Sequence, residues 1–88
     1  MKVTIIPIDG AVYKDSLCYS NLDLSQCGIP DDIHALQWFN TEGWIEFKSD
    51  IPNEKITELP QWALNCLDVW QIAYDADHPV DPPVDPIV

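Results

Sequence analysis

Apolar and polar residues alternate most clearly between Ile33 and Lys48, IHALQWFNTEGWIEFK, where two runs face each other across a polar turn. In the first run Ile33, Ala35 and Phe39 alternate with His34, Leu36 and Trp38; in the second, Ile45 and Phe47 alternate with Trp44, Glu46 and Lys48. A period of two is that of paired strands, whose successive side chains point to opposite faces. Asn40-Thr41-Glu42-Gly43 reads as the loop between them, with Gly43 free to take the positive φ that hairpin loops use. An isolated hairpin is marginal in water, so the pattern predicts that another element covers it.

Upstream, VTIIPI (Val3 to Ile8) is apolar and β-branched, and Asp9-Gly10 separates it from Ala11-Val12-Tyr13-Lys14. Asp-Gly between two such runs predicts a second hairpin. Pro7 cannot donate to a ladder, which predicts that the first strand is an edge or turns its N–H side outward. Asp15-Ser16 marks a further turn before a short strand at Leu17-Cys18-Tyr19. From Ser20 to Asp32 the alternation fades into Gly28, Pro30 and Asp31-Asp32, a loop that returns the chain to the central hairpin, and Ser49 to Glu54 reads as another polar connection.

The period changes after Pro60, a residue tolerated at a helix start because its missing N–H would be unpaired there. Gln61, Asn65, Asp68, Gln71 and Asp75 recur at three- and four-residue steps and form one polar stripe. The remaining helix positions, from Trp62 to Tyr74, are apolar over an arc of roughly 220°, about twice what covering one sheet face demands. Either a curved sheet cradles this helix, or part of it is a docking face. Together these elements predict an α+β domain over residues 1–76: an antiparallel β-meander of about four to five strands over residues 2–48, with one C-terminal helix over about 60–75 packed on one face. Beyond it, residues 77–88 (DHPVDPPVDPIV) hold four prolines and three aspartates. They read as an extended, acidic, polyproline-like tail.

Composition narrows the function. Fifteen acids stand against four lysines and no arginine, a formal net charge of −11 in 88 residues. That balance disfavours direct contact with nucleic acid or an anionic membrane surface, both of which are normally bound through Lys and Arg. A basic partner, a partner reached through apolar contacts, or charge used for solubility remain. Cys18, Cys27 and Cys66 are odd in number and contain no CxxC pair, and Met1-Lys2-Val3 leads straight into a strand pattern, so an intracellular chain with reduced thiols is expected.

No motif for catalysis is present. His34 and His78 sit on different elements, which argues against a metal site. Asp31/Asp32, Glu42/Glu46 and Glu54/Glu58 are pairs that an acidic domain produces by chance, and Asp77, Asp81 and Asp85 lack the calcium-loop pattern. The expectation is therefore a non-enzyme without cofactor or metal. What is left as functional material is aromatic: Trp38 and Trp44 near the mouth of the central hairpin loop, and Trp62, Trp70 and Tyr74 on the helix, are the candidate partner-binding residues.

The opening VTIIPIDGAVYKDSLCY, the block DIHALQWFNTEGWIEF, the following NEKIT and a Trp-bearing helix before a Pro-rich acidic end resemble the small acidic proteins of tailed bacteriophages that accompany tail fibres, of the tail or tail-fibre-assembly type. The likeness is one of order and spacing along nearly the whole chain. It implies a viral, non-enzymatic protein that binds another tail or tail-fibre component, as a virion part or as an assembly chaperone. The virion tail or the host cytoplasm would be its place, and homo-oligomers are compatible with it. The rival expectation, from charge alone, is an acidic inhibitor that presents carboxylates where phosphates would sit and blocks a basic host DNA-binding or defence protein.

Overall fold

The computed structural model describes residues 1–79. Six strands form a single sheet: β1 (Lys2–Ile6), β2 (Ala11–Lys14), β3 (Leu17–Tyr19), β4 (Ile33–Phe39), β5 (Glu42–Phe47) and β6 (Glu54–Ile56). One helix, α1 (Gln61–Asp77), follows. The α+β class and the single C-terminal helix are as the pattern predicts; the strands number six, because the Glu54–Ile56 piece is too short to show any alternation. All neighbouring strands are antiparallel, in the order β3-β2-β1-β4-β5-β6. The sheet is thus two three-stranded meanders laid side by side, joined through β1 and β4. Their ladder runs Lys2↔Phe39, Val3↔Trp38, Thr4↔Gln37, Ile5↔Leu36.

This topology corrects the reading of Pro7. The first strand is interior, bonded to β2 on one side and β4 on the other, and Pro7 lies just beyond it as the first residue of a 3-10 turn over Pro7–Asp9. Its missing N–H therefore falls outside the ladder and costs nothing there. Gly10 closes this turn at φ 57°, and a Cβ on it would come within 2.9 Å of the Leu22 backbone nitrogen. The close approach exists because residues 20–32 cross back over this turn, held by Asn21 N–H to Asp9 O (3.1 Å) and Leu22 N–H to Gly10 O (3.0 Å).

The central hairpin also differs in detail from its predicted form. The turn is Asn40-Thr41, with Asn40 taking the left-handed conformation (φ 56°), while Glu42 and Gly43 already belong to β5. Gly43 is required for another reason: a Cβ there would overlap the Gln37 carbonyl and sit 2.9 Å from Trp38 Cα. In β4 a bulge between Ile33 and Ala35 puts one extra residue opposite β5, as Ile33↔Phe47 is followed by Ala35↔Glu46 and Leu36↔Ile45. The bulge resets the alternation, so Ile33 shares a face with Leu36 and Trp38, and Phe39 points to the other side.

Two ladder rows build the face under the helix. One runs Tyr19, Val12, Ile5, Leu36, Ile45; the next runs Leu17, Lys14, Val3, Trp38, Gly43, Ile56. Helix residues Ala63, Cys66 and Trp70, spaced by three and four, bury themselves against this face. Leu24 and Cys27 of the crossover segment complete the core. Each large apolar side chain enclosed here contributes about 1.5–3 kcal/mol of burial.

Pro60 stands before α1 in an extended conformation, and the helix reaches Asp77, one residue past the expected domain end. The broad apolar arc of α1 is largely cradled: Trp62, Leu67, Val69 and Tyr74 pack on the core, and the crossover reaches up to the helix, where Asn65 donates to Cys27 O (3.0 Å). Only Leu64 and Ile72, 41% and 70% exposed, are left as large apolar residues on its outer side. No described helix is long and apolar enough to cross a membrane. The polyproline-like tail predicted for 77–88 lies, from residue 80 onward, outside the described residues.

Candidate functional site: the uncovered sheet face

The same registers that assign the core rows assign the opposite face. One row crosses all six strands, Cys18, Tyr13, Thr4, Gln37, Trp44, Lys55, and beside it lies Lys2, Phe39, Glu42. Among the described residues no helix lies over these rows. The face is therefore a sheet surface whose centre is polar and whose flanks are aromatic. Thr4 Oγ1 donates to Gln37 Oε1 at 2.6 Å between β1 and β4, which fixes both centre side chains.

The aromatic flank is held rigid by its neighbours. Phe39 and Trp44 stack with centroids 5.7 Å apart and planes 27° from parallel. The Trp44 indole N–H is spent on Glu46 Oε2 (3.0 Å), which orients the ring. Lys2 Nζ lies 5.2 Å from the Phe39 centroid, within cation–π range. On the far side Lys55 pairs with Glu42 at 3.2 Å. Phe39, Glu42, Gly43, Trp44, Asn53 and Lys55 enclose a shallow, mainly apolar hollow of about 490 Å³. Phe39, at the end of β4, and Tyr13, on β2, are each 41% exposed.

The five aromatic residues singled out from the sequence are divided by this geometry. Trp38 and Trp70 are core residues, 5% and 6% exposed, and offer a partner almost no surface. Trp62 and Tyr74 are half-buried against the same core. Trp44 alone belongs to the open face. Tyr13 and Phe39, its companions there, were missed. Tyr13 was legible, since it is out of phase with the core residue Val12; Phe39 was not, because the bulge in β4 moved it to the other side.

A second aromatic group closes the β3 edge. Tyr19 meets Trp70 edge-on at 5.9 Å, Trp70 stacks on Tyr74 at 5.1 Å, and Tyr74 on His78 at 4.2 Å. Trp70 donates its indole N–H to Leu17 O (3.1 Å), and Tyr19 donates its hydroxyl to Asp77 Oδ2 (2.8 Å). Burial first, and then the hydrogen bond to Asp77, push the Tyr19 phenol up to about 12. This group fastens the helix end to the sheet edge.

The acidic pairs are used locally. Asp32 accepts from Ser49 N–H (3.0 Å) and Ser49 Oγ (2.6 Å), joining the loops at both ends of the β4–β5 hairpin. Asp23 accepts from Ser25 N–H and its carboxyl is held below the usual range by the Ser25 bonds. Asp15 accepts from Lys2 N–H. Cys27 and Cys66 are buried in the core, and burial, with a thiol contact to Cys27, raises the Cys66 thiol to about 12. His34 is exposed on β4, far in sequence and element from His78. Among the described residues no three His, Cys, Asp or Glu side chains gather as a metal site. No protein-family model, curated protein or solved structure matches the chain.

Proposed function

We propose that the protein is a non-enzymatic binding module of a tailed bacteriophage, and that it holds another tail or tail-fibre protein against its uncovered sheet face. The observation that carries this reading is the stacked Phe39–Trp44 pair on the open face, Phe39 41% exposed and Trp44 half-buried, with a further exposed ring, Tyr13, on the same face beyond Thr4 and Gln37. Rigid aromatic side chains lose little entropy on docking and are the usual anchors of protein interfaces. The viral tail as the setting comes from the likeness of sequence pattern described above. Work in the virion tail or in the host cytoplasm both fit it.

Charge mimicry of nucleic acid is the weaker reading. Asp15, Asp23 and Asp32 are engaged in capping turns, and the other described acids are divided among β5, β6, α1 and the loops, not ranked along one face. The experiment that separates the two is co-expression with the tail proteins of the same virus followed by co-purification. A complex that survives high salt and weakens at least tenfold in Phe39→Ala/Trp44→Ala is expected. Capture of a basic host protein at low salt only, with no tail protein retained, would replace this reading with the mimic.

A further inference from the structure

Sequence leaves the pairing of Cys18, Cys27 and Cys66 open, and the fold sets one of them apart from the other two. Cys18 stands on β3 opposite Tyr13, in the row that crosses the uncovered face. Cys27 and Cys66 are enclosed on the helix side of the sheet, 3% and 0% exposed, as members of one core cluster. All three are free thiols.

Local structure brings the enclosed pair together from two elements. Cys66 falls on the helix face that Ala63 and Trp70 bury, at the three- and four-residue steps that align side chains on one side of a helix. In the crossover, Cys27 N–H bonds to Leu24 O (3.0 Å), and this turn directs both side chains into the core. Asn65, the residue before Cys66, donates its amide to Cys27 O (3.0 Å), which holds the two backbones within one side chain of each other. The thiols themselves meet, Cys66 being hydrogen-bonded to Cys27. Converging side chains on backbones held this close are what a disulfide requires.

We propose that Cys27 and Cys66 form a disulfide when the chain meets a low-molecular-weight disulfide such as oxidised glutathione, and that Cys18 stays outside it. One cysteine thiolate attacks the glutathione disulfide and releases a glutathione thiolate; the other then displaces the second glutathione from the mixed disulfide. Two cysteine thiols are oxidised, one glutathione disulfide is reduced, and the two protons end on the departing glutathiones. The link closes a ring over residues 27–66, which contains β4, β5, β6 and the first turns of α1, and it reinforces the Asn65 bond between crossover and helix. Burial keeps the Cys66 thiol protonated at neutral pH, so in the folded chain the exchange waits for crossover and helix to part. The inference concerns the covered side of the sheet and stands apart from the proposed function.

Refolding the full-length protein from urea in an oxidising glutathione buffer tests it, because the thiols are free to exchange while the core closes. After acid quenching and alkylation, peptide mapping by mass spectrometry should find Cys27–Cys66 at least tenfold above any link to Cys18. The linked chain should melt about 10 °C or more above the reduced chain, since the ring restricts the unfolded state. Cys18→Ser should keep both the link and the rise, and Cys27→Ala should lose both. Cys27 and Cys66 recovered reduced or as separate glutathione adducts, or links to Cys18 as abundant as Cys27–Cys66, would overturn the proposal. A linked chain that melts no higher than the reduced one would overturn it too, because the native core would then not accommodate the bond.

Discussion

The two faces of this sheet are made by the same strands and differ in nearly every physical respect. Under the helix, Val3, Ile5, Val12 and Leu36 are at most 1% exposed, and their neighbours fill the space between sheet, helix and crossover. On the other side Thr4, Gln37 and Trp44 occupy the positions between them, half-exposed, with polar atoms bonded to one another and rings stacked in view of solvent. The difference teaches that aromatic content alone does not locate a binding surface. Trp38 and Trp44 are six residues apart, on paired strands around one turn, yet one is core and the other is surface, because Trp38 pairs with Gly43 and Trp44 with Gln37 in rows of opposite parity.

The largest effect expected from this contrast is on stability. Leu36→Ala removes a fully enclosed side chain at the centre of the covered face and should cost about 2–5 kcal/mol, including the cavity left behind. Thr4→Ala, in the neighbouring strand but on the open face, should cost under about 1.5 kcal/mol, the net worth of one hydrogen bond. Urea unfolding of both variants measures the gap. Comparable losses would mean that something covers the open face as firmly as the helix covers the other.

A finer comparison uses the two core tryptophans. Trp70 donates to Leu17 O, whereas the Trp38 indole nitrogen is buried without a hydrogen-bond partner among the described residues. Trp70→Phe leaves the Leu17 carbonyl unpaired and should be the more destabilising by about 1 kcal/mol; Trp38→Phe removes an unsatisfied donor and loses only volume. Thermal or urea midpoints of the pair decide it, and a larger loss for Trp38→Phe would show that its N–H has a partner.

The smallest effect is a dependence on alkaline pH, carried mainly by the covered side. Tyr19 and Cys66 both have folded-state values near 12, raised above those of the unfolded chain. In both cases the folded protein holds its proton more tightly, so the contribution is complete at neutral pH and is lost as pH climbs from about 9 through 12. The thermal midpoint should be flat below pH 9 and fall above it. Tyr19→Phe together with Cys66→Ala should flatten that fall, while Tyr13→Phe on the open face should leave most of it.

Much of the fold was legible because local patterns are enforced by local physics. Alternation with period two identified β4 and β5, since a strand half-buried on one face has no other way to sort its side chains, and β-branched apolar runs on either side of Asp9-Gly10 identified β1 and β2. The Pro60 start and the three- and four-residue steps identified α1 to within two residues of its end. The polar pairs were rightly read as belonging to turns in the case of Asp32, whose acceptor geometry needs only the neighbouring loops.

What the sequence determined, then, is the set of elements, the acidic balance and the pool of aromatic residues from which a surface could be made. Only the tertiary structure decided which of those residues became that surface. Three long-range facts were needed. β1 pairs with β4, which makes the strand before Pro7 interior; the bulge after Ile33 turns Phe39 away from the core; and the crossover of residues 20–32 takes up one flank of the helix, so that its apolar excess shrinks to Leu64 and Ile72. None of these is written in local periodicity, because register and face depend on what a strand is paired with, and a one-residue shift exchanges the two faces of everything that follows it.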